Sequence, residues 1–213
     1  MLAILDYDSG NQTSVSLALT SLGVANIVSD DAAAILGAQG VIFPGVGAAG
    51  QAMRHLESRG LDRVLRQVAE QGIPLLGICL GCQILLEHSE ESDTRTLGIL
   101  PGRTRRFDPT LRDEAGEPVV IPHMGWNGMA RTAPSRLFDG VDEDSEFYFV
   151  HSYYPEPDPA LVLGTTRHGL SFCSLYGRDG LWATQFHTEK SGRPGLRLLN
   201  NFAAYCREKA NAQ

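Results

Sequence analysis

Pro74-Leu75-Leu76-Gly77-Ile78-Cys79-Leu80-Gly81-Cys82-Gln83 is the stretch whose reading decides the fold. Residues 75–78 are apolar and follow a stop at Gly72-Ile73-Pro74, which reads as a buried strand. Residues 80–87 read as the helix it feeds. Between them, Gly77-x-Cys79-x-Gly81 is the cysteine counterpart of the G-x-S-x-G strand–turn–helix elbow. The turn is sharp and passes close to neighbouring elements, so glycines remove side chains that would clash. A cysteine thrust out at such a bend has helix N-terminal amides beside it, which favour a thiolate.

Outward from this stretch, short apolar runs alternate with amphipathic ones. Residues 2–5 and 40–43 read as strands, and 14–22 and 61–70 as helices. Leu61, Val64, Leu65 and Val68 share one face of the last. Such alternation predicts a three-layer α/β fold, a mostly parallel central sheet flanked by helices. The second half changes character. Residues 118–122, 146–150, 161–166, 171–175 and 181–186 are strand-like between Gly, Pro and Asp turns, which predicts added antiparallel pairing. Residues 195–209 close the chain as a helix with Leu196, Leu199, Phe202 and Ala203 inward. Residues 108–118 read as an exposed loop. There is no repeat or long linker, so one domain over 1–213 is expected.

Composition narrows the function. The 213 residues carry a formal net charge of -7, which opposes phosphate backbones, so no nucleic-acid partner is expected. Arg103, Arg105 and Arg106 are read as a solvated strand edge. No apolar run is long enough to span a bilayer, and MLAILDYDSG lacks the basic start of a secretory signal. The expected location is cytoplasmic, and the four cysteines are expected to be reduced. No cofactor and no metal are expected.

By itself the cysteine elbow leaves two readings open, because a free cysteine is often only a small core residue. Cys79 and Cys82 also form a C-x-x-C pair, the pattern of a redox site or half a zinc site, but no second pair completes four zinc ligands. The partner base is sought in Leu181-Trp182-Ala183-Thr184-Gln185-Phe186-His187-Thr188-Glu189. On an extended chain His187 and Glu189 would point to the same face. A carboxylate there fixes the imidazole tautomer, and the imidazolium favours a thiolate. Of the other histidines, His55, His88 and His168 read as surface residues, and His123 and His151 as structural ones. Phe43-Pro44-Gly45-Val46-Gly47-Ala48 is a glycine loop free to aim an N–H at an oxyanion, with the Leu80 N–H as second donor. A plain strand-to-helix turn is the simpler reading of that loop. It matches neither a Walker A loop nor a dinucleotide fingerprint.

These segments resemble a known family. GICLGCQ at 77–83, PGVG at 44–47 and QFHTEKS at 185–191 are similar to the class I (triad) glutamine amidotransferases, whose fold is flavodoxin-like. DYDSGN at 6–11, PHMGWN at 122–127, YFVHSYY at 148–154 and EKSGRPGLRLLNNF at 189–202 resemble, more narrowly, the glutaminase subunits of imidazole glycerol phosphate synthases. The resemblance implies glutamine as substrate, Cys79 as nucleophile, His187 as proton carrier and Glu189 as its orienter. It implies an oxyanion hole from Val46 and Leu80 once the Gly45-Val46 peptide turns. Gly47, Gln83 and Glu91, with the backbone of His151, Ser152 and Tyr153, would hold substrate. Asn11, Trp126 and Lys190 would face a (β/α)8 cyclase subunit that receives the ammonia in histidine biosynthesis.

The chain departs from the family pattern at three places. Thr188 replaces a proline, Cys82 a methionine, and Asp8 and Gln12-Thr13 the usual glycine and Leu-Arg. The alternatives are a glutaminase supplying another synthase and a non-catalytic member of the elbow superfamily.

Overall fold

The computed structural model describes residues 1–212; the expected domain's last residue, Gln213, lies outside them. The chain runs β1 (Leu2–Leu5), α1 (Gln12–Ser21), β2 (Asn26–Ser29), α2 (Ala32–Leu36), β3 (Gly40–Phe43), α3 (Ala49–Ser58), α4 (Leu61–Glu70), β4 (Leu75–Ile78) and α5 (Leu80–Ile84). Short strands β5 (His88–Ser89), β6 (Thr94–Arg95) and β7 (Gly102–Arg106) follow. The second half holds β8 (His123–Gly128), β9 (Ala130–Arg131), β10 (Glu146–His151), β11 (Tyr153–Pro157), β12 (Val162–His168), β13 (Leu170–Arg178), β14 (Leu181–Thr184) and the closing helix α6 (Gly192–Asn211).

An eight-stranded sheet has the order β2-β1-β3-β4-β14-β13-β12-β9. Strands β2 to β14 in that order are parallel, and β13, β12 and β9 add antiparallel pairing. Both faces are covered, which is why β1, β3, β4 and β14 are buried along their whole length. Alternate residues divide between two cores. Leu2, Ile4, Ile42, Leu76 and Trp182 meet α1 and α6 through Leu19, Leu199 and Phe202. Ala3, Leu5, Val41, Phe43 and Leu75 meet α2 to α5 through Ile35, Leu56, Leu65 and Ile84. The C-terminal ends of β1, β3, β4 and β14 therefore lie side by side, the edge where open α/β sheets place their sites.

Local expectations fared unevenly. The helix after the elbow spans five residues, not 80–87. Segment 97–100 takes its carbonyls: the N–H groups of Leu97, Gly98 and Ile99 donate to Ile84, Leu86 and Leu85. Residues 118–122 are not a strand, and their pairing is a single bridge from Pro118 to Arg112. Two prolines there remove ladder donors, and the strand starts only at His123. The inward face of α6 is Leu198, Leu199, Phe202, Ala203 and Cys206, with Leu196 at its margin. β7 is no edge, since it pairs with β11 and β5. Its arginines meet acids, Arg103 with Glu156 at 2.8 Å and Arg105 with Glu90 at 2.9 Å. No basic patch remains there.

The elbow glycines have measurable reasons. A Cβ on Gly81 would lie 1.9 Å from the Phe43 carbonyl oxygen, and one on Gly77 would lie 2.7 Å from Leu85 Cδ1. Gly81→Ala must push two backbones apart. It is expected to cost about 3 kcal/mol, roughly 6–12 °C in melting temperature for a chain of this size. Gly128→Ala is the control, because nothing lies within 4 Å of a Cβ built there. Equal melting temperatures for the two variants would contradict this account of the elbow.

Candidate active site

Three adjacent strand ends supply the site. Cys79 follows β4 and takes φ 55 and ψ −109, a strained conformation for a non-glycine residue. Its backbone is clamped on both sides: the Cys79 N–H donates to Thr184 at 2.8 Å, and its carbonyl accepts from Cys82 at 3.0 Å. The side chain opens into a cavity of about 380 Å³. That cavity also holds Val46, Gly47, Leu80, Gln83 and Glu91, with His151, Ser152, Tyr153 and His187. All of these are expected from the sequence; Pro122 and Val150, which join them, are not.

His187 and Glu189 meet, though not as an extended pair. β14 stops at Thr184, and Thr188–Lys190 is a single 3-10 turn. His187 N–H donates to the Tyr148 carbonyl at 3.0 Å, and Ser191 Oγ donates to the His187 carbonyl at 2.6 Å. Gly195 lets the turn dock on α6, since a Cβ there would lie 2.1 Å from the Thr188 carbonyl oxygen. In this frame His187 Nδ1 lies 2.7 Å from Glu189 Oε1, with both side chains fully buried. Thr188 is buried, and its hydroxyl has no hydrogen-bond partner among the described residues.

The electrostatics fit a proton carrier. Burial works against the imidazolium, yet the Cys79 and Glu189 side chains outweigh it and push His187 up to about 10. Burial also opposes an ionised Glu189, but the bond and charge of His187, helped by Asn11, hold it below the usual carboxylate value. With Nδ1 spent on Glu189, Nε2 is the nitrogen left over, and it makes no hydrogen bond among the described residues. The Cys79 side chain shares the cavity with this imidazole. A helix of five residues contributes little dipole to the site.

The two N–H groups expected to form an oxyanion hole, those of Val46 and Leu80, lie on adjacent segments that both line the cavity. The Leu80 N–H donates to the Gly45 carbonyl at 3.2 Å, so this donor is already taken. Turning the Gly45-Val46 peptide would free Leu80 and present the Val46 N–H instead. Gly45 has no room for a side chain, since Tyr7 Oη and Leu80 Cβ would lie 2.3 Å and 2.9 Å from its Cβ. Glu91 caps the helix after this loop, accepting from the Ala49 N–H at 2.6 Å.

One expected interface residue belongs elsewhere. Asn11 is 3% exposed, and its Nδ2 donates to Glu189 Oε1 at 3.2 Å. An asparagine at a helix start usually caps its own helix; this one leaves α1 without a side-chain cap and braces the carboxylate. Trp126 is 54% exposed, and Lys190 is exposed. Asp8 takes φ 65, the region that favours glycine, and pairs with Arg59.

Sequence reasoning missed Gln185 as a separate contributor. It is fully buried, accepts from Gln83 Nε2 at 2.9 Å and sets its own Nε2 3.7 Å from Cys79 Sγ. Its signal was a polar residue at the end of an apolar strand. All four cysteines are free and buried. Among the described residues no group of three or more His, Cys, Asp or Glu side chains is placed to hold a metal ion, and no helix is long and apolar enough to cross a membrane.

Comparison with known proteins gives the family. The family model for glutamine amidotransferase class-I matches residues 3–206. The imidazole glycerol phosphate synthase subunit HisH of Desulfovibrio desulfuricans is 64% identical over 208 residues, covering 98% of this chain and 96% of that one. The protein of the same name from Nitratidesulfovibrio vulgaris is 57% identical over the full length of both. Among solved structures, a glutamine amidotransferase has a TM-score of 0.73 at 19% identity, covering 97% of this chain and 98% of its own. The structure of PurLQS from Thermotoga maritima has a TM-score of 0.69 at 15% identity, covering 96% and 97%. These two share the fold; the family is carried by the model match and the long, close sequence similarity, by which the chain belongs to the class I glutamine amidotransferases.

Proposed function

We propose that the chain is the glutaminase subunit of an imidazole glycerol phosphate synthase, working as one domain in the cytoplasm. The observation that carries this is the meeting of Cys79 and His187 in one cavity lined by Gln83, Glu91 and Tyr153, with Glu189 bonded to His187 Nδ1 behind it. The Cys79 thiolate attacks the side-chain carboxamide carbon of glutamine. His187 Nε2–H gives its proton to the departing nitrogen, and ammonia leaves as the glutamyl thioester forms. A water then attacks the thioester, its proton passing to His187, and glutamate leaves as the adduct collapses and the thiolate–imidazolium pair is restored. Glu189 holds the imidazole by Nδ1 throughout. Glu91, beside the cavity, suits the substrate's α-ammonium. Val46 and Leu80 complete an oxyanion hole when the Gly45-Val46 peptide turns.

The ammonia goes to a (β/α)8 cyclase subunit. Exposed Met124 and Trp126 on β8, with Lys190 beside the triad turn, suit that docking face. The closed oxyanion position supports gating by the partner. Glutamate release is therefore expected only when the chain is mixed with the cyclase and its nucleotide ligand, as measured by a coupled glutamate assay. Full activity of the chain alone would point to a different synthase. None with any partner would point to a non-catalytic member.

A further inference from the structure

Behind the cavity runs a line of hydrogen bonds whose protons can be ordered in one way. His151 Nδ1 lies 2.8 Å from the Tyr153 carbonyl oxygen, which can only accept, so Nδ1 carries the proton. A neutral His151 then accepts at Nε2, and His123 Nδ1, 3.0 Å away, must donate to it. His123 Nε2 in turn accepts from Asn127 Nδ2 at 3.2 Å. The line ends in the cavity: the same Tyr153 carbonyl accepts from Gln83 Nε2 at 2.8 Å, and Gln83 meets Gln185, which touches Cys79 Sγ.

We propose that His123 is a positioning residue for the glutamine pocket, fixing through His151 the Tyr153 carbonyl and the Gln83 carboxamide that line it. This rests on the glutaminase reading above. Protonating either ring would introduce a competing charge or donor along the line. Burial keeps both neutral, holding His151 down to about 3 and His123 to about 4, with His168 stacked on His123 at 4.1 Å. A purely space-filling role is the competing account, because His123 also stacks on Phe149 at 4.6 Å. The two accounts differ in which substitution is harmless.

His123→Phe keeps an aromatic ring and loses the donor; His123→Asn loses the ring and keeps an amide N–H near the Nδ1 position. In the complex with the cyclase, His123→Phe is expected to raise KM for glutamine about 10-fold, with His123→Asn within about 3-fold of the parent. The reverse order would overturn the proposal. A second readout needs no turnover: nitrogen-15 imidazole shifts should show His123 and His151 both as neutral Nδ1–H tautomers. An Nε2–H tautomer on either ring would overturn it even if both variants misfold. A parent chain with those tautomers but no glutamine turnover would overturn the glutaminase reading, and this role with it.

Discussion

Cys79→Ala is expected to abolish glutamate release, by a factor of about 10³ or more, while the chain stays folded and still binds the cyclase. No other group can take over the attack. Cys82 is the nearest candidate thiol, but it is fully buried in the core, and burial pushes its pKa well up. Its Sγ sits against Gln185 Oε1 at 3.8 Å, not in the cavity. The loss should not come from misfolding. Cys79 is 6% exposed, its strained φ of 55 is set by its neighbours, and alanine tolerates that φ no worse than cysteine. The exchange of a thiol for a hydrogen should cost only about 1 kcal/mol. Cys82→Ala, by contrast, leaves a small cavity in the core and should lower stability more than turnover. Glutamate release by Cys79→Ala near the parental rate would end the assignment of the nucleophile.

What the sequence made legible, and what it did not, follows from the range of the forces involved. The elbow could be read because its glycines stand at fixed spacing around the cysteine, although only Gly77 answers crowding nearby in the chain, from Cys82 and Leu85, while Gly81 makes room for Phe43 on the next strand. The parallel strands could be read because burial on both faces leaves continuous apolar runs. β2 could not, since it is an edge strand with Ile27 and Val28 partly exposed and no inward-outward alternation. The His187–Glu189 pair was found for a reason the structure corrects. The side chains meet across a turn docked on α6, not along a strand. The sequence offers Asn11 only as a partner-facing position by resemblance, because its bond to Glu189 joins positions 178 apart and no periodicity encodes that. The tautomer order of His123 and His151 is likewise a property of assembled neighbours.

Glu189→Gln is expected to cut kcat by about 10²–10⁴, with binding of glutamine little changed. The amide is nearly the same shape, and its oxygen can still accept from His187 Nδ1 and from Asn11. What is lost is the charge, and the effect has a pH direction that a packing defect would not. In the parent, burial opposes the imidazolium while Cys79 and Glu189 raise the pKa of His187 to about 10. The proton is thus held through neutral pH and released as pH rises through about 10. The stabilisation linked to it is fully present below the ordinary value of 6.5 and declines across that same window. Removing the carboxylate removes one of the two supports, so the alkaline limb of kcat against pH must move to lower pH. The limb belongs to the coupled Cys79–His187–Glu189 group as a whole, so the shift between the two proteins is the quantity to measure. Asn11→Ala should move it the same way by less, because Asn11 helps keep Glu189 ionised. An unchanged alkaline limb in Glu189→Gln, with kcat within about 3-fold of the parent, would remove the carboxylate from the mechanism and leave His187 to be oriented by its backbone bonds alone.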